Sequence, residues 1–232
     1  MKNTFDWGPF VSRASASELE QETFIKKIYE RMFPVERGDI VVDMGASVGP
    51  FAYNILPNEP SRVFCVEPSK DLLPFLMKNV GHECVVIDKG ISRRDGEPSD
   101  SKVFLMNSAT EVAVDTIAFQ TFIKSNKITT IDFFKTDCEG AEYDIFNTQN
   151  LEWIKTNVKK IAGEWHLSTP LLKEKFVQFK NDFLPHFAYE VYSVDGADIK
   201  WDIDNQHFID YYTEVLFYID NRKPKFTTIK QK

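Results

Sequence analysis

The chain has 232 residues, a formal net charge of −7 at neutral pH, and 43% hydrophobic and 14% aromatic residues. This length and composition predict one domain with a well-buried core and argue against a disordered protein. The negative charge opposes binding along a phosphate backbone, so no nucleic-acid partner is expected. Apolar runs fall short of the roughly 20 residues that span a bilayer, and the first residues lack a signal-peptide core. We therefore expect a soluble, cytoplasmic protein with no membrane span.

The amino-terminal part of the chain predicts an amphipathic helix over 17–33, because apolar residues recur there near helical spacing. We assign residues 1–37 to an N-terminal helical or lid segment that leans against a sheet or covers a binding site. Residues 38–220 form the main predicted domain, and 221–232 form a basic C-terminal tail. A simple packing helix is the alternative for 17–33.

Strand and helix patterns alternate through the middle of the chain. Apolar, β-rich runs predict strands at 39–43, 62–67, 83–88, 103–106, 131–136 and 158–164. Amphipathic stretches predict helices at 70–79, 111–125 and 142–154. This alternation predicts βαβ units, and therefore an α/β fold with a mainly parallel sheet.

The pattern changes after residue 187. Two aromatic and β-branched runs, 189–194 and 213–219, have no clear helix between them, and they predict an antiparallel pair at the sheet edge. Their connection, 195–212, is longer than a hairpin turn and contains several acids. We expect this connection to be a loop on the substrate side of a site, with a passive insertion as the alternative.

The motif D-M-G-A-S-V-G at 43–49 lies where the first predicted strand passes to a helix. Gly45 and Gly49 let the backbone turn sharply and let a ligand approach closely, while Asp43 places an acceptor at the carboxyl end of the strand. The spacing does not match the dinucleotide fingerprint G-x-G-x-x-G. An acid at this position suits a neutral or cationic ligand better than a pyrophosphate.

A second acid, Glu67, ends the predicted strand at 62–67. A carboxylate there can accept both hydroxyls of a ribose, in nucleotide-binding folds and in S-adenosylmethionine (SAM) enzymes alike. Combined with the motif at 43–49, it favours SAM over a nicotinamide dinucleotide. The alternative is an ordinary strand, turn and helix whose glycines serve only the turn.

A third group of acids follows the predicted strand at 131–136, in the sequence D-C-E-G-A-E at 137–142. Because ligands bind beyond the carboxyl ends of the strands in an open α/β sheet, Asp137 and Glu139 are expected to face the same crevice. Glu142 opens a predicted helix, where capping explains an acid at least as well as a functional role does.

Glu164 and His166 end the next predicted strand, and in an extended segment their side chains project to the same side. Such a pair is suited to acid–base chemistry or to metal binding. A histidine can take a proton from a hydroxyl near neutral pH, while a carboxylate fixes its tautomer or stabilises its charged form. A purely structural histidine is the alternative.

Four blocks, D-M-G-A-S-V-G, V-E-P, D-F-F-K-T-D-C-E-G-A-E and G-E-W-H, together resemble the FkbM family of SAM-dependent methyltransferases over about residues 38–167. Ser47 stands where this family usually has Asn. The resemblance implies a class I methyltransferase, Rossmann-like α/β fold, with a mainly parallel seven-stranded sheet, an antiparallel edge strand and helices on both faces. It also implies methyl transfer from SAM to a hydroxyl of a sugar, a glycan or another small hydroxylated metabolite.

The placement of these residues at the strand ends, together with the needs of methyl transfer, predicts a role for each of them. The SAM-binding residues are expected to be Asp43, Gly45, Ser47, Gly49, Glu67, Asp88 and Asp137. The catalytic residues on the acceptor side are expected to be Asp137, Glu139, Glu164 and His166. His166 is the first choice of base, Glu67 is placed on the ribose, and Asp88 is placed at the adenine edge. A divalent cation held by Asp137, Glu139, Glu164 or His166 is the secondary alternative.

Two other function classes stay open at the level of sequence. One is a nicotinamide-dependent oxidoreductase built on the same kind of sheet. The other is a catalytically silent SAM-fold protein that acts as a binding or scaffold subunit. The patterns predict neither the identity of the acceptor nor an oligomeric state.

Overall fold

The computed structural model describes residues 5–9, 13–97, 114–205 and 207–223. The strands are β1 Ile40–Met44, β2 Arg62–Val66, β3 Val85–Ile87, β4 Gly90–Ser92, β5 Thr116–Ala118, β6 Ile131–Thr136, β7 Val158–His166, β8 Tyr189–Tyr192 and β9 Glu214–Asp220. The helices are α1 Arg13–Glu20, α2 Pro50–Ile55, α3 Leu73–Val80, α4 Phe119–Ser125, α5 Glu142–Ile145, α6 Leu151–Asn157, α7 Pro170–Gln178 and α8 Phe208–Tyr211.

Seven strands form one sheet in the order β3-β2-β1-β6-β7-β9-β8. β1 pairs in parallel with both β2 and β6, and β6 pairs in parallel with β7. β9 runs antiparallel between β7 and β8. The α/β fold and the antiparallel pair at the edge are therefore confirmed. The antiparallel strand itself is β9, one position in from the edge strand β8.

The sheet is covered on both faces, which explains why its strands read as nearly continuous apolar runs. Along β1, Val41 packs on one face, whereas Val42 and Met44 pack on the other. Helices α2 and α3 cover the Val41 face, and α4 to α7 cover the opposite face. The crossover order reverses between β2 and β6 on either side of β1, and this switch point opens a crevice at the carboxyl ends of the strands.

The amino-terminal helix differs from the prediction at 17–33. α1 passes into a π turn at Gln21–Ile25, and Lys27 then adopts a left-handed φ of 50° before a short 3₁₀ turn at Ile28–Glu30. Leu19 and Phe24 are five residues apart, a spacing wider than the α-helical repeat. The prediction of one regular helix up to residue 33 is therefore wrong.

Two further helix predictions need correction. The helix predicted at 111–125 begins only at Phe119, because the β-branched residues of β5 precede it. The helix predicted at 142–154 is two helices, α5 and α6, separated by a turn in which Asn147 Oδ1 accepts from two backbone N–H groups. The strand predicted at 103–106 lies outside the described residues.

The amino-terminal segment of the chain contributes residues to the core. From the predicted segment 1–37, Ile28, Tyr29 and Phe33 are buried in the core under α2, while 224–232 lies outside the described residues. The division of the chain into segments stays a prediction. No helix in the described part of the chain has the length and apolar character needed to cross a membrane.

Candidate functional site

A cavity of about 530 Å³ opens at the carboxyl ends of β1, β2, β6 and β7. This volume lies within the range of about 300–1,000 Å³ usual for small-molecule sites. Seven of the predicted site residues line it: Gly45, Ser47, Glu67, Asp137, Glu139, Glu164 and His166. Asp43 and Gly49 are buried outside the lining, and Asp88 is exposed just after β3 and does not line it. The strand-end motifs thus converge on one site, while three of the predicted residues, Asp43, Gly49 and Asp88, do not line it.

Glu67 is held in place by the backbone. Its Oε1 accepts from the Ser69 N–H at 2.8 Å, and its Oε2 accepts from the Ser47 N–H at 2.9 Å. Burial raises the pKa of the Glu67 carboxyl to about 7, against the opposing effect of these two hydrogen bonds. Since each carboxylate oxygen can accept more than one hydrogen bond, Glu67 can still receive hydroxyl donors from a ligand.

Gly45 is required by a close backbone contact. Its φ of 77° lies in the left-handed region, and a Cβ at this position would lie 1.7 Å from the carbonyl oxygen of Asp137. The turn after β1 therefore packs directly against the loop after β6. The sequence predicted that this glycine lets a ligand approach the backbone. The structure adds that the lack of a side chain also allows the two strand ends to pack together.

Asp43 is joined to the site through a lysine that the sequence analysis did not select. Lys135 Nζ lies 3.1 Å from Asp43 Oδ1 and donates to the Gly45 carbonyl oxygen at 2.7 Å. It also lies 4.0 Å from Asp137 Oδ2. Burial lowers the pKa of Lys135, but the charges of Asp43 and Asp137 outweigh it and raise that pKa to about 12. The sequence contained a signal for this lysine, because Asp137 directly follows the strand that contains Lys135 and residues two apart in an extended segment project to the same side.

His166 ends β7 and lines the cavity, with one ring nitrogen bonded and the other facing carboxylates. Its Nδ1 lies 3.1 Å from Glu142 Oε1. Its Nε2 lies 3.8 Å from Asp137 Oδ1 and 3.6 Å from Glu139 Oε2, which are distances beyond a hydrogen bond. The side chain is only 7% exposed. Nε2 is therefore a polar atom that is available to a ligand in the cavity.

Three carboxylates determine the ionisation of His166. Burial lowers the pKa of the imidazole, but Glu142, Asp137 and Glu139 outweigh it, and the pKa lies well above the usual value. Burial in turn raises the pKa of Glu139 to about 7. For Glu164, burial and then the charge of Asp137 raise the pKa well above the usual value. The part of the cavity around His166 therefore combines an imidazole and two carboxyls whose pKa values are all raised.

Tyr29 links the amino-terminal segment to this cluster. Its hydroxyl lies 2.9 Å from Asp137 Oδ2 and 3.2 Å from Glu164 Oε1. The Tyr29 hydroxyl is the donor in both contacts, and because it carries one proton it donates to one carboxyl at a time. Tyr29 thus holds the two carboxyls in a fixed arrangement.

Four more acids line the cavity and were not predicted: Glu18, Glu22, Asp195 and Glu214. Burial and the charge of Asp137 raise the pKa of Glu22 to about 6. Glu214 stands opposite His166 in the β7–β9 register. Asp195 belongs to the predicted loop at 195–212, which therefore reaches the cavity. These contacts depend on strand pairing and chain reversal, so no local motif signals them.

Residues 32–191 match the methyltransferase FkbM domain family. The chain belongs to the FkbM methyltransferase family. This match covers more than half of the chain and includes every predicted site residue. The match confirms the family resemblance that the strand-end motifs indicated. By family and fold, this FkbM chain is a SAM-dependent methyltransferase. A search of curated proteins finds no match.

Solved structures with similarity to this FkbM chain include three methyltransferase or methylase structures and complexes. Fibrillarin from Aeropyrum pernix, in complex with natively bound SAM, is 12% identical, with 92% of this chain and 76% of that chain covered and a TM-score of 0.47. The precorrin-6y C5,15-methyltransferase from Geobacter metallireducens is 11% identical, with 94% of each chain covered and a TM-score of 0.44. An rRNA methylase from Streptococcus thermophilus is 9% identical, with 80% and 88% covered and a TM-score of 0.47. At these values the three structures carry no conclusion about the acceptor.

The cavity of the FkbM chain fits SAM on two observations. Glu67 keeps acceptor capacity toward the cavity after binding two backbone N–H groups. Ser47, in the same lining, has a buried hydroxyl oxygen without a hydrogen-bond partner among the described residues. A buried polar atom without a partner costs free energy, and a polar ligand relieves that cost.

Two groups of side chains bring their polar atoms within 4.8 Å of one another: Asp137, Glu139 and His166, and Glu164, His166 and Glu214. The four residues named in the cation prediction are thus divided between two groups that share His166. Acidic clusters of this kind are common without an ion. A divalent cation in the FkbM chain therefore stays a prediction.

Proposed function

We propose that this FkbM methyltransferase transfers the methyl group of SAM to a hydroxyl oxygen of a sugar, a glycan or another small hydroxylated metabolite. The observation that carries the proposal is the position of His166 Nε2, which faces the same cavity as Glu67 and has no hydrogen-bond partner among the described residues. A hydroxyl must lose its proton as it becomes a methyl ether, so a base at this place serves oxygen chemistry directly.

The SAM half of the proposal rests on the turn after β1 and the end of β2. Glu67 would accept the ribose hydroxyls, and Gly45 and Ser47 would border the amino-acid part of SAM. Asp137 would lie beneath the methyl donor, where Tyr29 and Lys135 hold its carboxylate. Asp43 and Gly49 would support the turn from outside the cavity. Asp88 remains the proposed contact at the adenine edge.

The acceptor half of the proposal assigns deprotonation to His166. Bound SAM supplies an electrophilic methyl group, whose bond to sulfur breaks as the bond to the acceptor oxygen forms. Neutral His166 takes the hydroxyl proton on Nε2, and the resulting imidazolium is stabilised by Asp137, Glu139 and Glu142. Because these charges also raise the pKa of His166 in the free protein, the rate is expected to rise with pH through a value above the usual histidine range.

A small acceptor is supported by the charge and size of the cavity. Acids predominate among the charged residues of its lining, and the basic residue Lys89 is paired with Asp115 at 3.3 Å. Such a surface repels phosphodiester chains and accommodates neutral or cationic molecules. We therefore place small hydroxylated metabolites ahead of nucleic acids as acceptors.

Substitution of His166 tests the base. His166→Asn should lower kcat by about 10²–10⁴-fold, the usual contribution of a general base. The affinity for S-adenosylhomocysteine, measured by calorimetry, should stay unchanged, because Glu67 and the turn after β1 are left intact. His186→Asn, which changes a histidine outside the cavity lining, is the control. Full kcat in His166→Asn with intact binding rejects the proposed base.

A divalent cation is the second candidate for activating the hydroxyl. The observation that favours a cation is the group formed by Asp137, Glu139 and His166, whose polar atoms lie within 4.8 Å of one another. A cation bound by Nε2 excludes that atom as a base, so the two mechanisms are distinct. Turnover that is unchanged after exhaustive chelation rejects the cation, whereas loss restored by added Mg²⁺ or Mn²⁺ rejects the base.

A further inference from the structure

Glu142 contacts the only ring nitrogen of His166 that does not face the cavity. Its Oε1 lies 3.1 Å from His166 Nδ1 and also accepts from the Cys138 N–H at 2.9 Å. The Glu142 side chain has no solvent exposure. Its other oxygen, Oε2, is buried without a partner among the described residues. One oxygen of one buried carboxylate thus makes both contacts.

These two contacts determine which nitrogen of a neutral His166 carries the proton. An ionised carboxylate only accepts hydrogen bonds, so its partner Nδ1 must donate. The remaining lone pair then lies on Nε2, which faces the cavity near Asp137 and Glu139. The opposite tautomer would place a second acceptor against Oε1 and a proton on Nε2.

The ring is also anchored through its backbone. Tyr143, the residue after Glu142 in α5, donates its hydroxyl to the His166 carbonyl oxygen at 2.8 Å. Adjacent residues of one short helix therefore hold the side chain and the main chain of His166. The turn that leads into α5 contains Glu139 at a φ of 56° and Gly140 at 107°, and this turn brings the Cys138 N–H onto Oε1.

From this geometry we infer that Glu142 is a positioning residue that keeps His166 in the Nδ1–H tautomer and leaves Nε2 as the proton acceptor toward the cavity. The catalytic meaning of this inference rests on the proposed function, whereas the tautomer itself does not. Capping of α5 alone would not require any contact with the imidazole. The inference therefore gives the acid at 142 a role in catalysis through His166.

Two substitutions separate positioning from a structural role. Glu142→Gln keeps an acceptor, and its Oε1 stays toward His166 because the Cys138 N–H requires an oxygen there. Glu142→Leu has a similar size and no acceptor. The Gln variant should therefore retain the Nδ1–H tautomer, and the Leu variant should lose it. Glu152→Leu, on α6 with a largely exposed side chain, is the matched control.

The measurement is ¹⁵N NMR of the full-length protein bound to S-adenosylhomocysteine, at a pH where His166 is neutral. The four histidines are assigned with the His166→Asn variant. We expect Nδ1–H in the wild type, in Glu142→Gln and in Glu152→Leu, and Nε2–H or a mixture in Glu142→Leu. Circular dichroism verifies that each variant is folded.

Two results would overturn the inference. One is an Nε2–H tautomer in the wild type, and the other is an Nδ1–H tautomer that survives in folded Glu142→Leu. If Glu142→Leu does not fold, the wild-type and Gln spectra decide, since Nε2–H in either contradicts the assignment. Because the spectra need no acceptor, this failure is distinct from failure of the proposed function, which appears as full kcat in His166→Asn.

Discussion

At the scale of single residues, the site uses carboxyl groups whose ionisation depends on their surroundings. Glu67 shows this most simply, because the residue is 6% exposed and its carboxyl contacts two backbone N–H groups. Burial disfavours the charged form and places its pKa at about 7. The ribose hydroxyls of a ligand would donate to the ionised form, which accepts on both oxygens. Ligand binding and deprotonation of Glu67 should therefore be linked.

The linkage predicts a pH-dependent affinity. As pH rises through about 7, Glu67 loses its proton and the affinity for S-adenosylhomocysteine should increase. The measurement is titration calorimetry of the wild type and of Glu67→Gln across this range. Glu139 titrates in the same range, so the difference between the two proteins isolates Glu67. Equal pH dependence in both proteins would show that Glu67 does not contact the ligand.

At the scale of elements, a buried ion pair joins the ends of β1 and β6. Asp43 is fully buried, and burial raises its pKa while the charge of Lys135 opposes that effect. Lys135 also donates to the Gly45 carbonyl oxygen and so connects the turn after β1 to β6. A buried pair is weak evidence of net stabilisation, but the loss of one partner leaves an uncompensated charge.

This pair predicts an asymmetric response to substitution. Lys135→Met should lower the free energy of unfolding by about 3–5 kcal/mol, because Asp43 loses its buried partner. The double variant Lys135→Met with Asp43→Asn should recover part of that loss, since the orphaned charge is gone. Urea unfolding measures both. Equal destabilisation of the single and double variants would contradict a direct ion pair.

Sequence reasoning reached those parts of the site that lie next to their strands. Asp137 and Glu139 directly follow β6, and His166 ends β7, so a prediction of strand ends also predicted their convergence. Tyr29 and Glu214 reach the same cluster from segments distant in sequence, and only the folded chain reveals them. The helix predicted at 17–33 failed because its apolar spacing is wider than an α-helix sustains.

Sequence patterns also could not separate residues that line the cavity from residues that support it. Asp43 and Glu67 are both acids at neighbouring strand ends. Glu67 lines the cavity, whereas Asp43 turns to Lys135 beneath it. The difference depends on which side chain a buried lysine reaches, a contact across 92 residues of sequence. Spacing within a motif contains no information about such a contact.

At the scale of the whole molecule, acidic residues from several parts of this negatively charged chain line the cavity. The amino-terminal segment contributes Glu18 and Glu22, the 195–212 connection contributes Asp195, and β9 contributes Glu214. Glu214 stands opposite His166 in the β7–β9 register, and all four acids come from parts of the chain outside the family's strand-end motifs. The acceptor specificity of this family member is therefore expected to depend on its amino-terminal and carboxyl-terminal parts.

The most direct test of methyl transfer to oxygen uses SAM labelled with ¹³C in its methyl group. The enzyme is incubated with panels of sugars, glycans and small hydroxylated metabolites, and the products are analysed by mass spectrometry and ¹³C NMR. We predict one labelled methyl group on a hydroxyl oxygen and one S-adenosylhomocysteine per turnover. Label on nitrogen or carbon, or SAM binding without transfer to any hydroxylated acceptor, would contradict the proposed function.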